Sequence, residues 1–63
     1  MEGRVKSYDN SHRYGFITVC DTDYRFTRKD WGLRLPITTG LKVEFTPITT
    51  EKGMRAEDIR NAR

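Results

Sequence analysis

The chain has 63 residues, with 12 Lys and Arg against 9 Asp and Glu for a formal net charge of +3, and one cysteine. At this length one small domain (1–63) is expected, burying only about 60% of its unfolded surface, which leaves no room for a deep catalytic pocket. The lone Cys20 excludes an intrachain disulfide and a four-cysteine zinc set, while the modest basic excess favours an acidic partner without demanding one.

The dominant apolar period is two, so the elements are predicted as strands. Glu2, Arg4, Lys6 and Asp9 leave no apolar run for a signal peptide or membrane span, and a cytoplasmic, reducing setting is expected. Val5 opens a first strand, ended by the turn residues Asp9-Asn10-Ser11. Tyr14 to Val19 form a second, whose alternation sends Tyr14, Phe16 and Thr18 to one face and Ile17 and Val19 to the other. After a turn at Cys20-Asp21-Thr22-Asp23, Tyr24 and Phe26 point inward in a third strand while Arg25 and Thr27 point outward. The connection from Arg28 to Thr39 is the longest. A single helical or 3₁₀ turn at Asp30-Trp31-Gly32 is predicted there, and Pro36 stops a helix from running on. Leu41, Val43 and Phe45 alternate in a fourth strand, Glu51-Lys52-Gly53 turns the chain, and Met54 to Ile59 make a fifth with Ala56 and Ile59 inward. Short antiparallel strands hide their edges by closing, so the expected fold is all-β: a small five-stranded antiparallel barrel of the OB type.

Two rings on the outward face of so small a protein are the main functional signal. Tyr14 and Phe16, beside Lys6, His12 and Arg13, suit a platform on which bases stack, and single-stranded nucleic acid is the ligand that offers both π-faces and phosphates. The bland alternative is that these rings merely cover long neighbours on a solvated sheet face. Arg25 stands outward among the rings. Arg28, Lys29, Arg34, Lys52 and Arg55 add a collective basic surface, although each alone is an ordinary solubilising side chain. His12 has no catalytic partner, and Asp21, Asp23 and Asp30 lack the spacing of a calcium loop or an acid–base pair. No nucleophile, base and oxyanion set converges, so no enzyme activity is expected.

The chain resembles the cold-shock domain family. The motif Lys-Trp-Phe-Asn followed by Lys-Gly-Phe-Gly-Phe-Ile aligns on Lys6-Ser7-Tyr8-Asp9 and His12-Arg13-Tyr14-Gly15-Phe16-Ile17. Gly40-Leu41-Lys42-Val43-Glu44-Phe45 is similar to the family's Gly-x-x-Val-x-Phe, and Lys52-Gly53-Met54-Arg55-Ala56 to its Gly-Pro-Gln-Ala segment, with Ile59 at the place of a closing Val. The resemblance implies an OB barrel that binds single-stranded RNA or DNA, with RNA-chaperone activity and a role in transcription or translation control under stress. It implies a nucleic-acid-binding set of Lys6, Tyr8, Asp9, His12, Arg13, Tyr14, Phe16, Arg25, Thr27, Arg28, Lys52 and Arg55.

The departures from the motif bear on function. Ser7 stands where the family has its first Trp, and Tyr24-Arg25-Phe26-Thr27 replaces Val-Phe-Val-His, so an outward Phe and His become Arg25 and Thr27. Asp9 replaces an Asn, turning a donor–acceptor amide into an acceptor that repels phosphate. Arg13 replaces a Gly and adds a charge whose plane can stack on a base. The loop after the third strand is about two residues shorter than usual. Tyr8 is therefore either a structural residue or an extension of the ring row, and Trp31 either a core and loop anchor or a ring supplied from the rim. No cofactor, metal, membrane or small-molecule substrate is expected, and a monomer is favoured. The alternative function is a protein-interaction or regulatory module on a barrel that has lost most of its stacking groups.

Overall fold

The computed structural model describes residues 1–62. In chain order these form strands β1 (Glu2–Asp9), β2 (Tyr14–Val19) and β3 (Thr22–Thr27), a 3₁₀ turn (Arg28–Asp30), and strands β4 (Lys42–Thr50) and β5 (Gly53–Asn61). The strands close into a barrel in the order β1-β2-β3-β5-β4, with β1 pairing back onto β4. This is the expected five-stranded barrel of OB type with one correction: the sheet is mixed. β3 meets β5 in parallel through Arg25 and Arg55. That seam is short, and it is extended past the strand by a parallel bridge between Trp31 and Ile59 and by the Gly32 N–H donating to the Ile59 carbonyl at 2.9 Å.

Closure requires β1 to serve two neighbours. Its first half, Glu2 to Arg4, pairs with β4, and its second half, Arg4 to Asp9, pairs with β2. The hand-over falls where the register slips between Val5 and Ser7, a bulge that bends the strand as bulges do at barrel corners. The bulge turns Val5 inward, leaves Lys6 and Ser7 exposed, and returns Tyr8 to the inner side. A second bulge in β5 explains how Ala56 and Ile59, three apart, both point inward. The register slips opposite Phe45, and Asp58 takes up the extra residue with a left-handed φ of 52°.

Val5, Ile17, Tyr24, Phe26, Val43, Phe45, Ala56 and Ile59 fill the barrel. Phe26 is its centre, stacked against Tyr8 on one side at 6.0 Å and Trp31 on the other at 5.9 Å, while Tyr24 packs on Phe45 at 5.0 Å. Trp31 is thus a core and loop anchor, and its indole N–H donates to the Leu35 carbonyl at 2.8 Å, fixing the connection to β4. Gly15 is required where β2 passes beneath β1: a Cβ there would lie 2.3 Å from the Ser7 carbonyl oxygen and 3.0 Å from the Phe26 ring.

Two boundaries differ from expectation for identifiable reasons. The 3₁₀ turn comes two residues earlier, at Arg28–Asp30, because the Asp30 carboxylate accepts from the Thr27 N–H (2.9 Å) and hydroxyl (3.1 Å), while Gly32 is drawn into the β5 seam. The hairpin between β2 and β3 uses only Cys20 and Asp21, so Thr22 and Asp23 join β3. Cys20 makes that tight reversal with a φ of 54°.

Candidate nucleic-acid interface

Strand alternation builds one outward face across β1, β2 and β3. Ser7 lies opposite Phe16, and Phe16 opposite Arg25; one rung along, Asp9 lies opposite Tyr14, and Tyr14 opposite Thr27. The rings of Tyr14 and Phe16 meet edge to face at 6.0 Å, and the His12 ring continues the column with its centroid 6.0 Å from that of Tyr14. Arg25 reaches diagonally from its place opposite Phe16, so that its guanidinium carbon sits 4.8 Å above the Tyr14 ring. A cation–π contact at an exposed residue such as Arg25 contributes about 0.5–1 kcal/mol, enough to favour the guanidinium over the ring.

Several expected site residues turn out to be committed within the molecule. Lys6 donates to Asp23 at 2.8 Å; this hydrogen bond and the ammonium charge hold the Asp23 carboxyl below its usual range. Asp9 closes the β1–β2 turn. Its carboxylate takes the His12 Nδ1–H at 2.8 Å and the backbone N–H groups of Ser11 and His12 at 2.9 and 3.3 Å, so its pKa is lowered, chiefly by the His12 side chain. Asp9 therefore shapes the loop that presents His12 and Arg13. Thr27 gives its hydroxyl proton to Asp30 and keeps only lone pairs for a ligand. Arg55 donates to the same Asp30 oxygen at 3.3 Å. Tyr8 packs inward on Phe26 and leaves the outward ring column as Tyr14 and Phe16 with His12. Its hydroxyl is buried without a partner among the described residues.

Arg13, Arg25, Arg28, Lys29 and Lys52 make no ion pair among the described residues. They line two depressions that flank the ring column and share Thr27. One, of about 500 Å³, runs between β3 and the β4–β5 turn past Arg25, Thr27, Lys52, Met54 and Arg55, with Glu51 at its rim. The other lies between the β1–β2 turn and the 3₁₀ turn, past His12, Arg13, Thr27, Arg28 and Lys29. Met54, expected only as a residue of the fifth strand, has a partly buried side chain that also lines the first depression. Asn10, in the β1–β2 turn, carried no signal that separated it from an ordinary turn residue.

Among the described residues no group of three or more His, Cys, Asp or Glu side chains converges on a metal-sized site, and no helix is long and apolar enough to cross a membrane. No protein-family model matches the chain, and a search of curated proteins finds no significant match.

Proposed function

We propose that this barrel binds single-stranded RNA or DNA in a sequence-tolerant way, in the manner of a cold-shock domain. The observation that carries the reading is the outward column of Tyr14 and Phe16 with the Arg25 guanidinium laid over Tyr14, set between two depressions lined by unpaired cations. The rings supply stacking, worth about 1–3 kcal/mol per base and indifferent to base identity, and the cations supply phosphate contacts. Weak, sequence-tolerant binding of this kind suits an RNA chaperone in the cytoplasm, with no cofactor and no chemical step.

The test is fluorescence anisotropy of labelled mixed-sequence octanucleotides at 50 mM and 500 mM salt. Labelled strand is the better reporter because Trp31 packs, partly buried, against Phe26 and does not stand in the ring column. Binding that weakens with salt supports the proposal, and absence of binding at the lower salt refutes it.

A protein-interaction module is the second reading. It is favoured by the degree to which the face satisfies itself: Lys6 with Asp23, Thr27 and Arg55 with Asp30, and Arg25 over Tyr14. It predicts that strands are ignored at both salt concentrations.

A further inference from the structure

Arg13 has a left-handed backbone, with a φ of 58°. That conformation suits glycine and costs a residue with a side chain roughly 1 kcal/mol. The turn is nevertheless held in this form at three points: the Asp9 carboxylate grips Ser11 and His12, the Arg13 N–H donates to the Asp9 carbonyl at 2.7 Å, and the Arg28 N–H donates to the Arg13 carbonyl at 3.1 Å. The last bond ties the β1–β2 turn to the 3₁₀ turn and brings the two arginines to the walls of one cleft. His12, Thr27 and Lys29 complete its lining, and a second, adjoining depression on the β1 side is lined by the same two arginines with Tyr8 and Asn10. Three cations therefore face one opening with no carboxylate among its lining residues. The one unpartnered buried side-chain polar atom among the described residues, the Tyr8 hydroxyl, belongs to a residue of the adjoining depression.

We propose that this cleft is a phosphate subsite, in which Arg13 and Arg28, supported by Lys29, grip the backbone of a strand that crosses β3 at Thr27. The inference rests on the nucleic-acid reading above and gives the strand a path. It runs from the Arg25, Lys52 and Arg55 depression over Thr27 into the Arg13–Arg28 cleft, passing the Tyr14 ring that both Arg25 and His12 adjoin. A phosphodiester chain fits better than an acidic peptide, because the ligand must present repeated anions and flat faces for Tyr14 and Phe16. Arginine at both walls suits phosphate in particular, since its planar fork donates two parallel hydrogen bonds to one anion. The ligand is then held largely by its backbone, and its sequence is read weakly.

The experiment compares wild type with the Arg13→Gly/Arg28→Gln variant on labelled dT octanucleotide from 0.1 to 1 M salt. Glycine fits the left-handed backbone, so the variant is expected to melt no lower than wild type. Each lost phosphate contact removes about 0.7 from the slope of log affinity against log salt on a single strand, so two contacts remove about 1.4. The affinity deficit of the variant should therefore be about 25-fold greater at 0.1 M than at 1 M salt, the factor that this slope change gives over one decade. Arg28→Lys, which keeps the charge, should retain most of the wild-type slope. A wild type that binds, with a folded double variant of unchanged slope, overturns the subsite and leaves the proposed function standing. A wild type that binds no strand at 0.1 M salt overturns both.

Discussion

The two charged sides of this barrel are built from the same residue types but differ in how many of their cations are left without a carboxylate partner. On the side formed by the start of β1, β4 and the end of β5, two of three cations are matched, Lys42 with Glu2 at 3.3 Å and Arg60 with both Glu44 at 3.0 Å and Asp58 at 2.8 Å, while Arg4 donates to the Gly40 carbonyl at 3.1 Å. On the side formed by β2, β3 and the flanking turns, Lys6, His12 and Arg55 are paired, but Arg13, Arg25, Arg28, Lys29 and Lys52 have no carboxylate partner among the described residues, and the half-buried rings of Tyr14 and Phe16 lie between them. Exposed ion pairs add little stability, so the matched side is not explained by folding energy alone. Its effect is to weaken the positive field there relative to the side that carries Tyr14 and Phe16.

The largest test of this contrast sets adjacent residues of β2 against each other. Ile17 is wholly buried while Phe16 stands outward. Ile17→Ala should lower unfolding stability by about 2–5 kcal/mol, read by thermal or urea denaturation, because its cavity has few neighbours able to collapse into it. Phe16→Ala should leave the fold intact and weaken octanucleotide binding by about 1–3 kcal/mol. If Phe16→Ala unfolds the protein, or Ile17→Ala melts like wild type, the faces of β2 have been assigned the wrong way round.

The inward and outward faces of β2 and β3 were legible in the sequence because alternation is a local property of a strand. Tyr24, Phe26, Val43 and Phe45 are all buried as their period required. The parallel β3–β5 seam was not legible, since it depends on where the long connection delivers the chain and only Arg25 and Arg55 pair there. Tyr8 was ambiguous for a related reason. Its direction is set by the bulge between Val5 and Ser7, and a bulge is a non-local response to barrel closure that leaves no composition signal. Asp9 read as a ligand-facing acceptor, yet its carboxylate is engaged by groups two and three residues on, an Asx-type turn that its Asp-Asn-Ser context would have supported.

Arg25 gives a smaller and more specific test. Replacing it by Phe removes one phosphate contact and the cover on Tyr14 while adding a ring opposite Phe16. Arg25→Phe is expected to lower the salt slope on a single strand by about 0.7, while affinity at 0.5 M salt holds or rises through the added stack. Equal slopes for the two proteins would mean that the guanidinium serves Tyr14 alone.

Acid should affect stability mildly through the two turn and cross-strand carboxylates. Asp9 is lowered chiefly by its His12 hydrogen bond and Asp23 by its Lys6 hydrogen bond, so each folded-state pKa lies below the unfolded value of about 3.9. Their contribution is present above that value and is lost as pH falls through the lowered folded-state values. Melting temperature followed from pH 6 to pH 2 should fall below about pH 4, and the Asp9→Asn/Asp23→Asn variant should show a shallower fall over the same range. A variant profile parallel to wild type would assign the acid sensitivity to other carboxylates.

The smallest expected effect is the most discriminating for the two-sided picture. Glu44→Gln with Asp58→Asn deprives Arg60 of both partners and creates an unpaired arginine on the matched side, with asparagine tolerating the left-handed backbone at 58. If unpaired charge alone recruits strands, affinity should rise as much as one phosphate contact allows and the salt slope should steepen by about 0.7. The geometry argues otherwise, because no ring lines the depression beside Arg60, whose other lining residues are Gly32, Leu33, Glu44 and Asn61. The expected change is therefore a gain below about 0.5 kcal/mol at low salt, arising from long-range attraction, that vanishes at 1 M salt where the screening length falls to about 3 Å. A slope steeper by the full 0.7 or so of one phosphate contact would show that the rings of β2 are incidental and that strands track any bare cation on the barrel.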